Sequence, residues 1–454
     1  MEMHNKAHIA SLYCQGKGID VGCGNNEISP DFVGADKAAP VNNAAPTGNL
    51  HYDNESMDYV FSSCHLDYSE HTVCALAEWM RILRPGGNLV LCLPHRNFNS
   101  PAASPNAVTA HGFNLHPNLV LAALSETNDY EILCIEERIG DGLWLVVRKL
   151  CKEMPKRKVL VELHAAIGDC ICAEPAVRSL KHHLGNDVAV VLRVTHPELF
   201  RNHPSVSRIE NIIFVPRRRD YEKVYELSVK PTKQNRRSHL VDRAAEQIGV
   251  ELIDRTPQIY LDRWDELMLE RFHLPKSPHP KIAISPHVNW PSRQWKDEKW
   301  TELCRTLIRR FGAVIVELGA AGSYTGGFGV NLVGQTSPRQ AAAVLSKCNL
   351  LISVDTGLAH LAAAVGTPCV GIFGPIYPEL RMHPGLRRSV IAAQAECRGC
   401  FHWYGGDVRS CPKGHHECMT LISAEAVLDA VYKVLEKHKL QQLTAVKPLN
   451  AVSV

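Results

Sequence analysis

The sequence predicts an α/β fold built on parallel sheets. Apolar runs of strand length alternate with helical patterns along the chain, as in "KIAISPHVNWPSRQWKDEKWTELCRTLIRRFG", which reads as strand, polar loop and helix. Several of these runs end in small-residue turns just before a helix, as in "GKGIDVGCGNN", "VLVELHAAIGD" and "LLISVDTGLAH". The 454 residues suffice for about three domains, and 45% hydrophobic with 21% charged residues is a globular balance.

Composition excludes several function classes. A net charge of +3 gives no global field for nucleic acid. The basic runs Arg217-Arg218-Arg219 and Arg236-Arg237 read as solvated faces, with an anionic acceptor as the minority reading. The start "MEMHNKAHIASLYCQGKG" lacks the apolar core of a signal peptide, and there is no stretch of about 18 uninterrupted apolar residues. A cytoplasmic protein with at most peripheral membrane contact is expected. In that setting, 16 cysteines read as small core residues rather than a disulfide framework. Charged, Pro-bearing breaks at "RKLCKEMPKRK" and "LPKSPHPK" divide the chain at about 153 and 278. The expected domains are 1–153, 154–278 and 279–440, with a frayed tail at 441–454.

In the first domain, a strand leads into a turn where Gly22 and Gly24 allow close approach of backbone to a ligand. A second strand, "FVGAD", ends in Asp36, placed to accept from ribose hydroxyls. The strand "MDYVFSSCHLDY", the helix "ALAEWMRILRPGG" and the strand "NLVLCLP" follow. Over roughly residues 14 to 149, closing with "YEILCIEERI" and "LWLVVRK", this resembles class I S-adenosylmethionine-dependent methyltransferases. The resemblance implies that Asp20, Gly22 and Gly24 face the methionine part of S-adenosylmethionine and Asp36 its ribose. Asn26 stands where a third glycine is usual. A domain kept for packing or oligomerisation is the alternative.

The stretch "KRKVLVELHAAIGDCICAEPAVRSLKHHL" reads as strand, small-residue loop and helix. Asp169 falls at the helix start, either as a cap or as a general base facing a cleft. Further on, "NWPSRQW" brings Ser292 and Arg293 to the end of a strand, and "SVDTGLAHLAAAVG" turns from strand to helix. The free backbone N–H groups of Thr356, Gly357 and Leu358 there suit a diphosphate. Asp355 orders neighbouring amides or a sugar hydroxyl. His360 faces the same cleft or is a satisfied core histidine.

From about residue 157 to 437 these motifs, with "RNHPSV", "HLVDRAAEQIGV", "NLVGQTS" and "GTPCVGIFGP", resemble glycosyltransferase family 9, the ADP-heptose heptosyltransferases. The resemblance implies a GT-B fold, two Rossmann-like halves with a cleft between them, preceded here by the methyltransferase-type Rossmann-like domain. It implies inverting transfer from a nucleotide sugar, ADP-heptose by default, to a glycan, lipid-linked sugar or protein, with no cofactor required for the transfer. Asp169 matches the family's base, after Gly168, and Arg293 the residue that pairs with the leaving diphosphate. Asp355, Thr356, Gly357, Leu358 and His360 match the nucleotide-sugar loop. The strand end "LGAAGSYTGGFG" lacks the family's usual acid, which leaves the nucleotide open.

Near the end, "ECRGCFHWYGGDVRSCPKGHHECM" spaces Cys397, Cys400, Cys411 and Cys418 as Cys-x2-Cys-x10-Cys-x6-Cys. Four thiolates suit a structural zinc or iron, and small buried thiols are the alternative.

Overall fold

A computed structural model describes residues 10, 12–21, 52–63, 72–93, 120, 124, 130–138, 142–150, 155, 157–211, 218–228, 238–262, 265–266, 269–320, 326–383, 388–403 and 408–445. They form two compact units: 1–162 with 185–225, and 163–184 with 226–454. Compactness thus divides the chain differently from the sequence breaks at 153 and 278.

The first unit opens with a five-stranded sheet. Its strands are β1 (Gly18–Val21), β2 (Met57–Ser63), β3 (Leu83–Leu93), β4 (Tyr130–Arg138) and β5 (Gly142–Lys149), in the order β1-β2-β3-β5-β4. β1, β2 and β3 run parallel, while β5 is antiparallel to β3 and β4. Helix α1 (Thr72–Ile82) buries Leu76, Trp79 and Met80 against Val60, Leu89 and Leu91 of the sheet. Aliphatic and aromatic area of this size is the main stabilising term, at about 25 cal/mol per Å² removed from water. After α1 the stretch Arg84–Gly87 loops out, so that Met57 pairs with Leu83 but Tyr59 already pairs with Asn88. Gly86, at φ 84°, is what permits the bend.

The same unit holds a four-stranded sheet, ordered β8-β7-β6-β9: β6 (Arg157–Leu163), β7 (Val188–Val194), β8 (Arg208–Asn211) and β9 (Lys223–Leu227). Its buried charges are paired. Arg193 bonds Glu210 at 2.6 Å and Glu162 at 3.2 Å, and Arg208 also bonds Glu210. Tyr130 of β4 is fully buried within electrostatic reach of Arg208 and Glu210, and Arg201 donates to the carbonyl of Leu133. The two sheets of this unit therefore share a buried flank.

The second unit is a six-stranded sheet of the order β12-β11-β10-β13-β14-β15. Its strands are β10 (Lys281–Ser285), β11 (Val314–Glu317), β12 (Val330–Asn331), β13 (Leu350–Val354), β14 (Cys369–Phe373) and β15 (Arg388–Ala392), all parallel. β13 and β14 are buried along their whole length, as expected of parallel strands covered on both faces. The helices are α2 (Ile167–Leu184), α3 (Leu240–Ile248), α4 (Asp297–Phe311), α5 (Pro338–Ser346), α6 (Gly357–Ala364) and α7 (Ala424–Ala445). α5 begins in a capping box of Ser337 and Gln340 with Pro338 at its first position, and α2 packs on both α3 and α6. From β10 the chain first adds β11 and β12 on one side, then β13, β14 and β15 on the other. The reversal falls between β10 and β13, where α/β sheets open a crevice at the strand ends. Among the described residues, no helix is long and apolar enough to cross a membrane.

Candidate active site

Hydroxyls gather at the C-terminal ends of β10 and β13. Ser285 ends β10 and Ser353 is the next-to-last residue of β13, both buried and in register with each other. The Thr356 hydroxyl lies 3.0 Å from Ser353 Oγ and 3.4 Å from Ser285 Oγ rather than capping α6. α6 starts at Gly357, so the amides of Gly357 and Leu358 have no acceptor within the helix. They form the donor end of a helix dipole, the local condition for an anion.

Arg293 reaches this end from the turn Pro291–Arg293. Its guanidinium stacks 4.1 Å from the Trp290 ring centroid and its Nη1 stands 3.2 Å from Asp355 Oδ2. That pair is held by charge without an aligned hydrogen bond: Arg293 Nε and Asp355 Oδ2 are both buried without a hydrogen-bond partner. Burial pulls the Arg293 pKa down, while Asp355 opposes the shift. Ser292, beside it, is spent on architecture. Its N–H donates to the Arg409 carbonyl at 3.0 Å and its hydroxyl to the Val408 carbonyl.

Asp169 lies in the first turn of α2, half-buried, within electrostatic reach of Arg381, Asp355, Arg243 and Arg293. Burial raises its pKa, Asp355 adds to the rise, and Arg381 works against it. Gly168 sits so close to α6 that a Cβ there would come 2.7 Å from His360 Cδ2. Asp169, Arg293, Asp355, Thr356, Gly357, Leu358 and His360 thus belong to one unit, whereas the sequence reading assigned Asp169 to the half opposite the others.

His360 is buried, and desolvation beside Arg381 holds its imidazole neutral, with a pKa lowered to about 3. Its Nδ1 lies 3.1 Å from His383 Nε2 and 3.4 Å from Cys172 Sγ. Sequence reading missed Cys172, Arg243, Arg381 and His383. Arg243 has its pKa lowered to about 10, first by burial and then by Arg381.

Cys397, Cys400, Cys411 and Cys418 line one pocket with Ser292 and Pro375. Burial pushes the Cys418 thiol up to about 12, with the other three cysteines adding to the shift. In the first unit, Asp20 lies within β1 near Cys14 and Tyr59. Gly22, Gly24 and Asp36 lie outside the described residues.

Residues 225–403 match the sequence pattern of glycosyltransferase family 9 (heptosyltransferase), and residues 25–91 that of a methyltransferase domain. Arg293, Asp355 and His360 fall inside the first match, and Asp169 precedes it. Lipopolysaccharide heptosyltransferase 2 of Salmonella typhimurium is 26% identical over 213 residues, 44% of this chain and 58% of that protein. Its Escherichia coli counterpart is 26% identical over 173 residues, 48% of its length, so the chain spans about half the length of the curated relatives it matches. Among solved structures, E. coli ADP-heptose lipopolysaccharide heptosyltransferase II aligns with a TM-score of 0.50 at 18% identity, covering 62% of this chain and 99% of that one. The iron-containing dodecameric glycosyltransferase of enterotoxigenic E. coli H10407 aligns at 0.51 and 17%, covering 65% and 83%. These likenesses give the GT-B fold class expected from the sequence. The chain is therefore similar to glycosyltransferase family 9 over residues 225–403 and to a methyltransferase domain over residues 25–91.

Proposed function

We propose that the chain is an inverting glycosyltransferase of the cytoplasm. It moves a sugar, heptose by default, from a nucleoside-diphosphate donor, ADP-heptose by default, to an acceptor hydroxyl on a glycan, lipid-linked sugar or protein. The observation that carries this is the grouping, in one unit, of a half-buried carboxylate, the Arg293–Asp355 pair and the open amides at the start of α6.

In this reading Asp169 removes the proton of the acceptor hydroxyl, since inversion in a single displacement needs one base. Arg293 and Arg381 offset the charge that develops on the departing diphosphate, and the Gly357 and Leu358 amides add fixed donors. Asp355 orients Arg293, Thr356 supplies a hydroxyl donor, Gly168 lets α2 approach α6, and Ser292 ties the Arg293 turn to residues 408–409. The reading assigns no cofactor to the transfer itself. By their spacing the four cysteines suit a structural zinc or iron that would cross-link the loop around them, but among the described residues their thiols do not form a group converging within 4.8 Å.

The methyltransferase match favours a second, bifunctional reading in which Asp20, Gly22, Gly24 and Asp36 hold S-adenosylmethionine and the glycan or its precursor is also methylated. A protein that only binds nucleotides or carbohydrates is the remaining alternative, and the retained Asp169 and Arg293 speak against it. The test is release of nucleoside diphosphate from a panel of nucleotide sugars by purified protein and by Asp169→Asn. Turnover by the parent chain alone supports the reading. Binding without turnover by either chain removes it.

A further inference from the structure

We propose that Cys172, His360 and His383 hold a divalent metal ion of the zinc class in the second unit, at a site distinct from the four-cysteine pocket. All three residues are buried. Among the described residues, theirs are the donor atoms that converge within 4.8 Å of one another. His360 Nδ1 to His383 Nε2 is 3.1 Å, Cys172 Sγ to His360 Nδ1 is 3.4 Å, and Cys172 Sγ to His383 Nε2 is 3.9 Å. Around a tetrahedral ion with metal–nitrogen distances near 2.0–2.1 Å and metal–sulfur near 2.3 Å, ligand atoms stand about 3.3–3.6 Å apart. The observed triangle brackets that range.

Hydrogen bonding alone serves this triangle poorly. His360 Nδ1 carries either one proton or one lone pair. If it accepts from the thiol it has no proton to give His383, and if it donates to His383 Nε2 it has no lone pair for the thiol. An ion at the centre gives each donor atom its own bond. One thiolate with two imidazoles is a borderline-soft set that suits zinc and its cobalt substitute.

A third histidine is close but occupied. The His239 and His383 rings are 5.7 Å apart, centroid to centroid. His239 Nδ1 accepts from the Val241 N–H at 3.2 Å, so its Nε2 carries the proton and donates to the Met382 carbonyl at 3.0 Å. It fixes the chain beside His383 instead of ligating. Three protein ligands leave one position for water. The ion would tie α2, α6 and the loop after β14 together one helical turn beyond Asp169. Its role is that of a positioning clamp, and the proposal does not rest on the glycosyltransferase reading.

The experiment uses the full chain carrying Cys397→Ser and Cys400→Ser, which silences the other thiolate cluster, stripped with a chelator and titrated with Co2+. The expected result is one Co2+ per chain by elemental analysis, with a sulfur-to-cobalt charge-transfer band in the near ultraviolet. Adding Cys172→Ala should remove the band and the bound equivalent. Absence of bound Co2+ before that change, or an unaltered band after it, overturns the proposal. If the doubly substituted chain does not fold, the comparison moves to the otherwise intact protein. There Cys172→Ala must lower the metal count by one, and an unchanged count overturns the proposal.

Discussion

In the proposed reading Asp169 acts as a base only while ionised, and its surroundings set where that begins. Burial and Asp355 raise its pKa and Arg381 restrains the rise, so its titration lies above the ordinary carboxylate range. Activity should fall as pH drops through that raised value, and the acid limb of a pH–rate profile measures it. Asp169→Asn, which keeps the shape and removes the base, should cut turnover by about two orders of magnitude or more while nucleotide-sugar affinity stays near that of the parent. Near-parental turnover would remove the assignment. Arg293→Ala should weaken nucleoside diphosphate binding by about 1.5–3 kcal/mol, the worth of a charge-assisted hydrogen bond, as read by calorimetry. Asp169, Arg293 and Thr356 stand out in the sequence because each sits in a short motif at a strand end or helix start. Arg243, Arg381, Cys172 and His383 do not. Arg243 lies inside the motif "HLVDRAAEQIGV", where no strand end marks it, and Arg381 and His383 follow β14 in "YPELRMHPG". Only the folded chain brings them to Asp169 and His360.

The elements themselves were largely readable. "KIAIS", "LLISV" and "CVGIF" are strands, and the "RPGG" that was expected to stop a helix sits in a looped-out part of β3. The reversal between β10 and β13 was not readable, because strand order depends on long-range pairing that no local pattern encodes. The closeness of α2 and α6 gives a prediction at this scale. Gly168→Ala places a Cβ 2.7 Å from His360 Cδ2, and one helix must yield. A loss of about 1–3 kcal/mol, as for overpacking in a core, is expected in denaturant unfolding. The cysteine loop gives another. If the four thiols hold an ion, Cys397→Ser with Cys400→Ser should remove it and lower the melting temperature, since binding energy at a structural site is folding energy. Metal-free parent protein with an unchanged melting temperature in the variant would return these residues to the role of small buried thiols.

At the scale of the whole molecule, the class of fold and the two resemblances were legible. Isothermal calorimetry with S-adenosylmethionine tests the methyltransferase-type part directly: binding that Asp20→Ala abolishes supports the bifunctional reading, and absence of binding by the parent chain removes it. The three sheets fall between the breaks at "RKLCKEMPKRK" and "LPKSPHPK", while compactness groups the chain into two units that it recrosses at residues 162–163, 184–185 and 225–226.

The flank shared by the two sheets of the first unit bears on how this chain can be dissected. Tyr130 covers Arg208 and Glu210, and the Leu133 carbonyl is the acceptor for Arg201. A fragment beginning at residue 154 would therefore strand an arginine without its acceptor and open a buried ion network to water. Such a fragment should express as aggregate or melt well below the full chain. The two resemblances, though separate along the sequence, are inseparable as material. A gene cut at the apparent seam would divide one compact unit.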